Sequence, residues 1–262
     1  MSSVLNIPII NYHKISDQSD IGITSRKPRD FQNDLALLAD LGYQTITFRD
    51  LALERPMPPK PVILTFDDGY QSVLKNAYPL MEKFGFKGVV YMPTDFIGKT
   101  NDWDVQFAGK RFDHLSQDDL RFLHQQGFEI GSHGCSHRSL TDMKLDEARK
   151  ELEKSKAKIE TILSDTVYSI SYPFGRFNIP VLKFAKKSGY RFGVTAIFFR
   201  AGQWNGYNPL ALRRLNIYRM DSRKAVELKL RKQFHSFLAY RDWLIQKGSL
   251  ATVLWQKWFR TK

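Results

Sequence analysis

The chain has 262 residues, 42% of them hydrophobic, which is enough for one full core and matches the size of many single α/β barrels. A single cysteine, Cys135, excludes an internal disulfide framework, and no run approaches the ~18 apolar residues of a membrane span. The net charge is +13, and residues 223–262 carry ten Lys/Arg against Glu227 and Asp242. A basic end of that kind can meet nucleic acid, anionic lipid or an acidic glycan, although more often it is a solvated face.

Residues 1–6 are short and polar with no signal-peptide pattern, so the expected location is cytoplasmic. Residues 7–13 form an apolar strand ending in Asn11, Tyr12 and His13, followed by a loop to 27. From Pro28, the spacing of Phe31, Leu35, Leu38 and Leu41 predicts an amphipathic helix closed by Gly42. A short strand is expected over 43–48, then a proline-rich connector over 55–61 that cannot be helical. Val62, Ile63 and Leu64 begin a strand buried on both faces, and a helix is expected over 71–84.

Further strands are predicted at 87–92, 128–131, 167–171, 190–195 and 210–218. Helices are predicted at 116–126, 145–163 and 180–188, the first capped by Ser116. Residues 95–115 make a long polar loop, and loops of that length in a compact domain tend to be functional. About seven strand–helix alternations argue for a parallel sheet, most simply closed as a barrel.

The chemistry-bearing residues follow different strands: His13, then Asp67 and Asp68, then His133 and His137, then Pro173 and Phe174. In a barrel those strand ends converge on one rim. Adjacent carboxylates beside an apolar core are costly, although Asp68 as a helix N-cap with Gly69 in the turn is an ordinary alternative. His133-x-x-x-His137 has a spacing that grips one metal ion, and by itself it also fits two incidental surface histidines. Two imidazoles and one carboxylate would leave positions open for water and substrate, with the second aspartate available as a base.

Thr65-Phe66-Asp67-Asp68-Gly69, His133-x-x-x-His137 and Tyr172-Pro173-Phe174-Gly175, in that order, resemble the polysaccharide deacetylase (NodB-homology) family over about residues 7–218. Tyr12-His13 and Leu212-Arg213-Arg214-Leu215 are most similar to its poly-N-acetylglucosamine deacetylase branch. The resemblance implies a distorted (β/α)7 barrel over residues 1–220 and divalent-metal-dependent, most simply Zn2+-dependent, removal of N-acetyl groups from a glycan. It implies Asp67 as base, Asp68, His133 and His137 as metal ligands, and the Phe174 N–H as an oxyanion donor. Trp103, Tyr172 and Pro173 are the expected substrate contacts, with Trp103 equally able to anchor its own loop.

Two departures from the family pattern matter. Ser171 stands where an arginine usually precedes Tyr-Pro-Phe-Gly, so Arg214, or failing it Arg213, is expected to pair with the base. The usual late histidine acid is missing, which makes His13 the expected acid; its ordinary alternative is a core histidine. His114 and His124 have no motif partner and are expected at the surface. Cys135 is expected to point away from the histidine pair.

Residues 221–262 form the expected basic amphipathic helical tail, with Leu230, Phe234, Phe237 and Leu238 on one face. It either packs across the barrel bottom or a second copy, or lies on an anionic membrane surface. An acetylated glycan is the expected partner, and nucleic acid is not. O-deacetylation of a glycan ester, and a catalytically silent carbohydrate-binding barrel, are the competing readings.

Overall fold

The computed structural model describes residues 7–18, 24–100, 111–196, 208–231, 240–242 and 244–245. Strand β1 (Ile9–Tyr12) is followed by the two-residue pair β2 (Lys14–Ile15) and β3 (Ser25–Arg26), both inside the segment expected as loop. Then come α1 (Pro28–Asp40), β4 (Gln44–Thr45), α2 (Phe48–Ala52), β5 (Pro61–Phe66), α3 (Tyr78–Glu82) and β6 (Val89–Met92). The remainder is α4 (Gln117–Gln125), β7 (Glu129–Ser132), α5 (Leu145–Leu163), β8 (Ser169–Ser171), α6 (Ile179–Lys187), β9 (Phe192–Ala196), β10 (Leu212–Asn216) and α7 (Arg223–Leu230).

Seven parallel strands close on themselves. The ring runs β1, β5, β6, β7, β8, β9, β10, and β1 pairs with both β5 and β10. β4 adds to the edge of β5 without joining the ring. The chain therefore forms a (β/α)7 barrel, as the alternation of elements predicts. Among the described residues no helix is long and apolar enough to cross a membrane.

Side chains alternate across each strand, and one set points into the barrel. Ile9, Ile63, Val89, Val194 and Leu212 form the inner apolar cluster, and Phe48 and Phe192 meet there with ring centroids 5.2 Å apart. The outer core lies between strands and helices. Continuing the inward set toward the carboxyl ends of the strands reaches Asn11, Thr65, Asp67, His133, Ser171 and Arg214. Apolar residues thus fill the bottom of the barrel and polar ones its top.

Two expectations need correction. The strand expected over 43–48 stops at Thr45, because Thr47 and Asp50 form a capping box that starts α2 and turns Phe48 into the barrel floor. The helix expected over 71–84 opens as a π-turn, Val73–Ala77, before α3. Pro79 has no N–H to donate to the carbonyl of Lys75, and the Tyr78 N–H bonds to the carbonyl of Val73 instead.

The described part of the tail is built into the barrel's outer layer. Val226 and Leu230 of α7 belong to the outer core, and Arg223 pairs with Asp40 of α1 at 2.9 Å. Lys229, expected on a solvated face, is wholly buried on Asp221 (2.8 Å) and the carbonyl of Asn216 (2.7 Å). Arg241 also reaches Asp221, at 2.6 Å, so both charges are matched by carboxylates. Residues 232–239 and 246–262 lie outside the described residues.

Candidate active site and metal centre

β5 delivers the two carboxylates. Asp67 continues the inward alternation of Ile63 and Thr65 and is buried. Asp68 falls on the opposite phase and reaches the same rim only because its backbone turns to φ 69°. His137 (φ 54°) and Phe174 (φ 59°) share that conformation, so three of the five positive-φ non-glycine residues among those described lie at this site. Backbone held in a sparsely populated region tends to cluster where function over-determines it.

Arg214 answers the missing motif arginine. Its Nη1 and Nη2 donate to Asp67 Oδ1 and Oδ2 at 2.7 and 2.6 Å, a bidentate fork. Nη2 also donates to Ser171 Oγ at 3.0 Å, and Nη1 to Asn11 Oδ1 at 2.8 Å. Arg213, one residue earlier, has the opposite phase and takes no part. Burial pushes the Asp67 carboxyl up, but Arg214 and His133 more than reverse this and leave its pKa at about 2.

Asp68, His133 and His137 converge. The Nε2 atoms of His133 and His137 lie 3.4 and 3.1 Å from Asp68 Oδ1, and the three potential ligand atoms fall within 4.8 Å of one another. His133 Nδ1 is 2.7 Å from the carbonyl of Ser171, so in the neutral ring Nδ1–H donates there and Nε2 presents its lone pair to Asp68. Lone pairs converging on one point fit a divalent cation. Without one, burial raises the Asp68 carboxyl, and hydrogen bonds from His133 and His137 return it well below the usual range.

His13 faces the same group. Burial lowers its pKa, while the charges of Asp68 and Asp67 pull it up. Its Nδ1 has no hydrogen-bond partner among the described residues. Phe174 lays its ring edge-on to His137, with centroids 5.0 Å apart.

Other expectations fare differently. The ring of Tyr172 is fully buried in the outer core, and Pro173 is buried beside Gly134. Trp103 lies outside the described residues. His114 is buried rather than at the surface: Nδ1 meets the carbonyl of Asp68 at 2.7 Å, and its ring stacks on Tyr70 at 5.0 Å. His124 pairs with Asp165 at 3.2 Å. Cys135 points away, its Sγ toward the carbonyl of Glu151 at 3.5 Å. Asn11 and Glu151 had no motif to mark them, although Asn11 sits two residues before His13 on the same inward phase.

The polysaccharide deacetylase family profile matches residues 54–193, and the chain belongs to that family. It is 32% identical over 193 residues to YxkH of Bacillus subtilis (strain 168), whose name places it among polysaccharide deacetylases. That match spans 72% of this chain and 64% of the relative, so part of the relative has no counterpart in the alignment. The chain is also 23% identical over 211 residues to a poly-β-1,6-N-acetyl-D-glucosamine N-deacetylase of Staphylococcus aureus (strain MSSA476), covering 71% of this chain and 70% of that protein. Among solved structures, the Streptococcus pyogenes deacetylase PplD in complex with acetate superposes with a TM-score of 0.72 at 25% identity. That superposition covers 86% of this chain and 97% of that one.

Proposed function

We propose that the protein is a divalent-metal-dependent hydrolase that removes N-acetyl groups from N-acetylhexosamine units of a poly- or oligosaccharide and releases acetate. The observation that carries this reading is the division of labour between adjacent carboxylates. Asp67 is ionised and forked to Arg214, while Asp68 joins two imidazoles in a separate donor set. The N-deacetylase activity named for the Staphylococcus relative supports the N-acetyl substrate, and the acetate bound to the Streptococcus protein is the product expected here.

Asp68, His133 and His137 would hold the cation, and two nitrogens with one carboxylate suit Zn2+. When bound, it supplies Lewis acidity at the amide carbonyl and lowers the pKa of a water toward about 7. Asp67 takes the proton of the attacking water. Arg214, forked to both of its oxygens, keeps that carboxylate ionised and ready to accept it. His13 protonates the departing amine, which cannot leave as an anion. The Phe174 N–H steadies the developing oxyanion.

A silent binding barrel is favoured by Ser171 in place of the motif arginine and by the missing late histidine; the Arg214 fork to Asp67 speaks against the first ground, and His13 beside the carboxylates against the second. The test is acetate release from oligomers of β-1,6-linked N-acetylglucosamine and from an O-acetylated glycan, with zinc-loaded and chelator-stripped protein. Release from the N-acetylated oligomers, lost on stripping and regained with zinc, is expected. Release from the ester alone, or from neither by zinc-loaded protein, would overturn the reading.

A further inference from the structure

Two of the three candidate metal donors sit on one short loop, residues 133–137, whose backbone is not self-supporting. Gly134 has φ 75° and His137 φ 54°. The Gly134 N–H donates back to Ser132 Oγ at 3.2 Å, which leaves the amides of Cys135 and Ser136 to acceptors outside the loop. They turn toward Glu151 in α5. Its Oε2 accepts from the N–H of Cys135 at 2.7 Å and of Ser136 at 3.0 Å, and its Oε1 accepts from Ser136 Oγ at 2.7 Å. A Cβ on Gly134 would stand 3.2 Å from that same Oε2, so the loop and the carboxylate are in close approach. The loop's carbonyls are met from the other side, where the N–H groups of Thr94 and Asp95 donate to Gly134 and Cys135, both at 3.0 Å.

Glu151 is placed as if for this purpose alone. Among the described residues it forms no ion pair, and all three of its side-chain bonds go to this loop. Bonds from N–H groups to a carboxylate are stronger than neutral ones, and the nineteen-residue helix behind them is rigid. With the Thr94 and Asp95 donors on its other side, these bonds brace the loop that carries both imidazoles.

We propose that Glu151 is a positioning residue for the metal donor set, holding the 133–137 loop so that the Nε2 atoms of His133 and His137 meet Asp68 Oδ1. The inference rests on the reading of those three residues as a metal centre. Removing the carboxylate would let the loop relax and enlarge the donor triangle. Outer supports of this kind are typically worth about 10–100-fold in metal affinity.

Zinc affinity of the native protein, Glu151→Ala and Glu151→Gln, measured by competition with a chromogenic chelator, tests this. Amide hydrogen exchange at Cys135 and Ser136 is followed in the metal-free proteins. We expect Glu151→Ala to bind zinc about 10–100-fold more weakly, to exchange those amides faster, and to regain acetate release at saturating zinc. Glu151→Gln, which keeps an acceptor oxygen but not the charge, should fall between and decides the matter if the alanine variant does not fold. Affinity within about twofold of native in a folded variant would overturn the proposal. A zinc-binding native protein that releases no acetate would instead sink the deacetylase reading and leave this inference standing.

Discussion

The guanidinium of Arg214, on β10, meets the carboxylate of Asp67, after β5, through two bonds of 2.7 and 2.6 Å, and from the same nitrogen that makes the second it donates to Ser171 Oγ at 3.0 Å. The cation that pairs with the proposed base has moved to another strand, and the small serine at its usual position accepts from it. Geometry constrains the base more tightly than chain position does. A fork needs two parallel donors, and any strand that presents them inward at the right height can supply them.

Arg214→Ala should therefore lower kcat/KM for acetate release by ~10²-fold or more, and Arg214→Lys should recover little, because an ammonium is a point charge. Adding Ser171→Arg to the alanine variant should restore part of the loss. Near-native turnover in Arg214→Ala would show that the fork is structural only.

His13→Ala should keep zinc binding and the far-UV spectrum while acetate release drops by ~10²–10⁴-fold, the usual worth of a general acid. A substrate ester with a good leaving group should suffer less, since its departing group needs no proton. Equal losses on amide and activated ester would assign His13 to positioning instead.

Glu129, at the floor of the barrel, gives stability a pH dependence unrelated to the metal centre. Burial raises its carboxyl from 4.5 to about 7, with Ser169 Oγ at 2.5 Å and the Arg49 N–H at 2.7 Å partly offsetting this. A raised folded-state pKa means the folded protein holds the proton longer than the unfolded chain. Its contribution is full below about 4.5 and is lost as pH rises through about 7. Glu129→Gln should remove that decline and raise stability at pH 8 by ~2–3 kcal/mol, read from urea midpoints. Parallel stability–pH curves for the two proteins would contradict the assignment.

Gly193 on β9 leaves no room for a side chain. A Cβ there would lie 2.7 Å from Tyr172 Oη and closer still to the carbonyl of Leu210, which is backbone and cannot swing aside. Gly193→Ala should cost ~1–3 kcal/mol, with a lower urea midpoint at unchanged slope. No change would mean that Tyr172 is less tightly packed than its burial implies.

Most of the strand–helix order, the barrel, and the meeting of Asp67, Asp68, His133 and His137 at one rim were legible in the chain, because buried parallel strands read as apolar runs and such residues collect at their carboxyl ends, whereas β2, β3 and α2 were not. The choice of Arg214 over Arg213 was decided by the fold, in which Leu212 faces into the barrel and Arg214 shares its phase. What local pattern left undecided was which distant groups support that rim. Tyr172 turned into the core although its motif suggests a ligand contact, and His114 proved buried on the Asp68 carbonyl without any motif of its own. The three bonds of Glu151 join segments 15 and 16 residues apart, and those of Arg214 join segments 43, 147 and 203 apart. The Arg214 pairings depend on the closure of the barrel and those of Glu151 on how α5 packs back on β7, because hydrogen bonds are chosen by position in space while sequence periodicity reports only which face of its own element a residue occupies.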